Sequence, residues 1–126
     1  MISSALRKLV KERAGGRCEY CGLHQDHSLM TFHVEHIIPQ QHGGASVSEN
    51  LALACPGCNL HKGPNLTGID PDTGEVSRLF HPRQDVWKEH FQAAATRITG
   101  QTTIGRTTAG LLSMNDEDQL RLRSGR

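Results

Sequence analysis

A small α+β fold stapled by zinc is what this sequence predicts, on three observations. Two Cys-x-x-Cys pairs, Cys18/Cys21 and Cys55/Cys58, stand with 33 residues between them. Short strand patterns and helical patterns alternate along the chain, which is the mark of a mixed α and β architecture. Only 36% of the 126 residues are hydrophobic and 4% aromatic, with 13 glycines, so a chain of this size needs a staple beyond its apolar interior.

The elements follow in order. Ser3 or Ser4 is placed to cap a helix carrying Leu6, Leu9 and Val10 at helical spacing, and Gly15-Gly16 ends it. That helix is expected to pack on the metal-bearing part. A strand is expected over Thr31–Ile37, with Phe32, Val34 and His36 alternating against His33 and Glu35. A loop from Pro39 to Asn50 has Gly43-Gly44 at its tip, and Leu51–Ala54 makes a short return strand.

After Cys58 a helix is expected to begin at Asn59 and to be cut short by Gly63-Pro64. Beyond it, Asp70–Gly74 signals a turn, Glu75–Phe80 a strand, and Pro82–Phe91 a near-helical run with Trp87 and Phe91 as core residues. A threonine-rich stretch, a helix through Ala109–Leu112 and a basic end with Arg121, Arg123 and Arg126 complete the chain. Those arginines either bind phosphate or solvate a tail. One domain is expected, divided into an N-terminal helix (1–17), a core (18–63) and a C-terminal extension (64–126).

Charges at Arg7, Lys8, Lys11, Glu12 and Arg13 exclude a secretory signal, and no run approaches the length of a membrane span. The expectation is a cytoplasmic protein with no membrane partner. In a reducing compartment thiols stay free, and four of them in chelating turns suit the tetrahedral, soft-ligand preference of structural Zn2+. The long spacing between the pairs means that something is inserted in the zinc loop. An elongated ribbon with a plain loop, or a redox Cys-x-x-Cys, are the competing readings. Net charge is +1, so any nucleic-acid footprint must be local.

The insert reads Phe32-His33-Val34-Glu35-His36-Ile37-Ile38-Pro39, then Gln41-His42-Gly43-Gly44, then Glu49-Asn50-Leu51-Ala52-Leu53-Ala54-Cys55, and Cys58-Asn59-Leu60-His61-Lys62-Gly63 follows. These residues closely resemble the His-Asn-His (HNH) endonucleases, in the subgroup whose ββα-metal core is bracketed by two Cys-x-x-Cys pairs. The motif-specific part spans residues 18–63, and Asn65–Asn115 looks like the extension that follows the motif in some bacterial HNH proteins. The resemblance implies His36 as general base and Glu35 beside it as a catalytic-metal ligand. It implies Asn50 as the residue that ties the loop and fixes the histidine ring, and Asn59, where the family often has histidine, as a second metal ligand.

An unperturbed imidazole takes a proton from water near neutral pH, which suits the role implied for His36. The oxygen donors of Glu35 and Asn59 favour Mg2+, Mn2+ or another hard divalent ion. Neighbours on a strand face opposite ways, so Glu35 and His36 share a site only where the strand ends or twists. Lys62, three residues after Asn59, falls on the same helical face and is a candidate phosphate contact.

His33 is either a further metal or phosphate ligand or an exposed polar residue. His81 either reaches the cleft or marks a strand exit. His24, His27 and His42 are read as ordinary polar residues. The function implied is metal-dependent hydrolysis of DNA phosphodiester bonds, leaving a 5′-phosphate and a 3′-hydroxyl. The rival is a noncatalytic zinc module that binds nucleic acid or a protein partner. Sequence leaves the oligomeric state open.

Overall fold

Ser3 opens the first helix by accepting the Leu6 amide on its hydroxyl at 3.1 Å, and α1 runs Ser4–Ala14 up to Gly15. The computed structural model describes residues 1–125; Arg126, counted above in the basic end, lies outside them. α1 buries Val10 completely and packs on the strand pair of the metal-bearing part, as expected. Arg13 fastens it there, its Nη2 donating to the carbonyls of Leu51 at 2.7 Å and Ser48 at 2.9 Å.

Strands β1 (His33–His36) and β2 (Leu51–Ala54) pair antiparallel, with His36 opposite Leu51 and Glu35 opposite Ala52. The paired strand is shorter than the expected Thr31–Ile37, although Phe32 and Ile37 at its ends are buried as the alternation requires. β2 is buried along its length. Its free edge is closed at Leu53, whose amide donates to the Glu19 carboxylate and whose carbonyl accepts the Glu19 amide, both at 2.8 Å.

Helix α2 spans Pro56–Lys62 and starts three residues before the expected Asn59. The reason is local: Pro56 loses no helical hydrogen bond at the first position, and the Cys55 sulfur caps the turn by accepting the Cys58 amide. Strand, loop, strand and helix thus occur in the order the motif implies, and the ββα core with its four-cysteine cluster is present.

Among the described residues the extension holds two more hairpins and three helices. β3 (Thr67–Ile69) and β4 (Val76–Arg78) flank the expected Asp70–Gly74 turn. Only Trp87–His90 of the anticipated Pro82–Phe91 helix is helical, as α3. Phe91 instead begins β5 (Phe91–Ala94), which pairs with β6 (Arg97–Gly100), so strand pairing overrides the local period.

Trp87 still stacks on Phe91, ring centres 5.1 Å apart, because i and i+4 remain close across the helix end. α4 (Thr103–Leu111) begins well before the expected Ala109 and takes in Thr107 and Thr108, both fully buried. α5 (Glu117–Arg123) is capped by Asp116, whose carboxylate accepts the Gln119 amide at 2.8 Å. One core joins the parts, with Val10, Tyr20, Leu23, Phe32, Leu51 and Leu53 continuous with Phe80, Phe91, Ile98, Leu112 and Met114. Among the described residues no helix is long and apolar enough to cross a membrane.

Candidate functional site

The four cysteines converge. Their sulfurs all lie within 4.8 Å of one another, all four residues are buried, and none is in a disulfide. Each Cys-x-x-Cys turn folds alike: the Cys21 amide points at Cys18 Sγ and the Cys58 amide at Cys55 Sγ, each at 3.5 Å. Cys21 Sγ and Cys55 Sγ are 3.8 Å apart. A tetrahedral zinc with bonds near 2.3 Å sets its sulfurs about 3.8 Å apart, so the cluster fits the metal predicted for it.

Hydrogen bonds from the sulfurs of Cys18, Cys21 and Cys58 hold the Cys55 thiol below its ordinary range. The side-chain amide of Gln119, from α5, also donates to that sulfur, at 3.4 Å. An elongated ribbon is ruled out as the description of the insert, since the insert is the β1–β2 hairpin itself.

His36 ends β1, half-buried, with Nε2 at 2.8 Å from Ser46 Oγ in the loop. Burial, and then the positive chain terminus, hold its pKa below the usual imidazole value. Asn50 ties that loop shut from its far end. Its Oδ1 accepts the Ile38 amide at 2.9 Å, while its Nδ2 donates to the carbonyls of Ile38 at 3.0 Å and Ala45 at 2.9 Å. Gly44 is needed at the crossing, because a Cβ there would sit 1.7 Å from the Ile38 carbonyl oxygen. Asn50 is thus the loop clasp, and Ser46 is the partner on the His36 ring. Ser46 was missed because a lone serine in a Ser/Gly-containing loop reads as a turn residue.

Glu35 precedes His36 at the end of β1. Its Oε1 is enclosed without a hydrogen-bond partner, and two donors nearby, Tyr20 OH and Lys62 Nζ, are enclosed and unpartnered too. Burial raises the Glu35 pKa to about 7, against the opposing pull of the Lys62 charge. The same burial lowers Lys62 and, with the Glu35 charge, raises Tyr20 well above its ordinary value. A buried carboxylate oxygen left without a partner is short of positive charge, which fits a residue that ligates a cation. Asn59 is half-buried on α2, the helix that packs on β1.

One anticipated contact looks different in three dimensions. Lys62 is only 2% exposed, its ammonium within electrostatic reach of Glu35 rather than open to a phosphate, because α2 turns that face onto the core. His33 is exposed at the start of β1. His81 serves the turn after β4: its Nδ1 accepts the amides of Arg83 and Gln84, each at 3.2 Å. Arg123 is structural, donating from Nε to the Thr96 carbonyl at 2.8 Å. A separate cavity of about 570 Å3, lined by Arg13, Arg17, His24, Trp87 and Arg123 among others, has neither His36, Glu35 nor Asn59 in its wall.

Residues 18–65 match the HNH endonuclease family, the one indicated by the motif, and the match takes in the zinc knuckle, the hairpin and α2. Over 117 residues the chain is also 26% identical to Septu protein PtuB of Bacillus thuringiensis. That similarity covers 91% of this chain and 43% of PtuB, so the chain spans less than half the length of this relative. An HNH segment with a four-cysteine metal cluster supports a nuclease-like role on nucleic acid.

Proposed function

We propose that the protein is a metal-dependent endonuclease hydrolysing DNA phosphodiester bonds, with His36 as general base and Glu35 and Asn59 holding a catalytic Mg2+, Mn2+ or similar ion. The observation that carries this reading is the contrast between two neighbours. His36 has one ring nitrogen engaged by Ser46, while the adjacent Glu35 presents an enclosed carboxylate oxygen with no partner.

With Nε2–H donating to Ser46, Nδ1 of His36 carries the lone pair and takes a proton from water. The water oxygen bonds to phosphorus, the phosphorus–O3′ bond breaks, and the leaving oxygen takes a proton from solvent. Glu35 and Asn59 are the residues that would hold a divalent ion, which would supply positive charge to the phosphate and the leaving oxygen. Asn50 and Gly44 keep the loop closed so that Ser46 stays on the ring. Lys62, enclosed near Glu35, partly offsets the effect of burial on the carboxylate, and His33 remains an exposed candidate for phosphate contact. The four cysteines hold zinc as a structural ion. Similarity to PtuB runs past the HNH segment, which supports reading residues 64–126 as a working part of the protein.

Supercoiled plasmid incubated with the purified protein and Mg2+, Mn2+ or Ni2+ tests the reading. Nicking or linearisation is expected with the native chain, and its loss in a folded His36→Ala variant. Cleavage that survives His36→Ala would show the base to be misassigned. One observation favours a second reading, a noncatalytic zinc module that binds nucleic acid or protein: the cation expected to meet a phosphate, Lys62, is enclosed. Absence of cleavage with every ion, alongside retained binding, would select it.

A further inference from the structure

The C-terminal helix reaches back across the fold to the metal cluster. Gln119 lies in α5 and is only 4% exposed, and its Nε2 is 3.4 Å from Cys55 Sγ, a contact between residues 64 positions apart. The approach is tight on the other side as well. A Cβ at Gly57, inside the second Cys-x-x-Cys turn, would lie 2.4 Å from Gln119 Nε2 and 2.9 Å from its Cδ. Only a residue without a side chain leaves room for the amide to come down on the sulfur. The helix is held in register for this by Asp116, which caps it through the Gln119 backbone amide itself.

We propose that Gln119 is a positioning residue of the zinc site, its side-chain amide donating an N–H···S hydrogen bond to the Cys55 thiolate and so coupling docking of the C-terminal helix to metal retention. A zinc-bound thiolate keeps much of its negative charge, and a donor to it drains charge, orients the ligand and slows its protonation and loss. Cys55 already accepts the Cys58 amide from within its own turn, and Gln119 adds a donor from a separate element. Removing Gln119 therefore affects the metal without removing a ligand. This inference rests on reading the four cysteines as a zinc site.

The test uses the full chain loaded with zinc, and a parallel sample loaded with Co2+. Gln119→Met keeps the length and packing of the side chain and removes the donor. Its zinc affinity, measured by competition with a chromophoric chelator, is expected to weaken on the order of ten-fold. The sulfur-to-cobalt charge-transfer band is expected to move to longer wavelength, because a thiolate without its donor gives up charge more easily. Gly57→Ala, which pushes the amide away, is expected to reproduce both effects with Gln119 still present. Circular dichroism reports whether each variant is folded. Native zinc affinity and an unmoved cobalt band in folded Gln119→Met would overturn the inference. A native chain that binds no zinc would overturn the zinc reading beneath it.

Discussion

Ser46 Oγ stands 2.8 Å from Nε2 of His36, across a loop whose ends are clasped by Asn50. If His36 is the base, this contact sets which nitrogen faces water. Ser46→Ala is expected to lower the turnover of plasmid cleavage roughly ten-fold, about the worth of one orienting hydrogen bond, with little change in KM for DNA. A large KM effect with unchanged turnover would place Ser46 in substrate binding instead.

The pH profile of cleavage follows from the same ring. The base must be neutral to act, and burial holds the His36 pKa below its ordinary value of about 6.5. At saturating metal, the rate is expected to rise with pH and to be half-maximal below about 6.5. A half-maximal rate above 7 would speak against His36 as the titrating base.

Asn50→Ala removes three hydrogen bonds at once, one accepted from the Ile38 amide and two donated to the carbonyls of Ile38 and Ala45. The expected loss is roughly 2–3 kcal/mol in denaturant unfolding, on a cost of about 1 kcal/mol per bond. Asn50→Asp keeps the acceptor for the Ile38 amide but sets carboxylate oxygen against two carbonyls, so it is expected to be destabilised too.

For the knuckle, one zinc per chain is expected by elemental analysis, and Cys18→Ser/Cys55→Ser is expected to lose cooperative unfolding, since metal binding energy is folding energy in such sites. A zinc-free double variant with a sharp melting transition would refute the staple.

Arg106 grips Asp70 with Nε at 3.0 Å from Oδ1 and Nη2 at 2.7 Å from Oδ2, joining α4 to the β3–β4 turn. Those hydrogen bonds, led by Arg106, hold the Asp70 pKa down to about 2. A carboxyl with a lower pKa in the folded state binds fewer protons there than in the unfolded chain. Its contribution is therefore complete above about 4, the unfolded value, and is lost as pH falls towards about 2. Arg106→Met is expected to melt lower at neutral pH and to show a shallower decline through this window. Asp85, held to about 2 chiefly by Arg78, titrates there as well and keeps part of the slope.

Much of the site was legible because its chemistry is tied to spacing. Two Cys-x-x-Cys turns, an acidic residue beside a histidine and a strand–loop–strand–helix order survive translation into three dimensions with small shifts in element ends. What escaped notice is carried by contacts distant in sequence or by residues with little identity of their own. β5 ends in two alanines, which have weak strand preference, and the tight turn after it places Ala95 at φ 55. α5 was readable in principle from Asp116 with acidic residues in its first turn and arginines in its last. Lys62 was assigned to the right helix, but helical spacing says nothing of which face the fold buries.

Cys55 is at once a metal ligand and the residue on which α2 begins, and the Asn59 amide donates to its carbonyl at 2.9 Å, one turn along. Each residue of a helix advances about 100° around the axis. A slip of a single residue at that start would swing Asn59 by a quarter turn or more away from β1. On the proposed reading the cysteine knuckle works as an index pin: it sets the angular phase of the helix that carries Asn59.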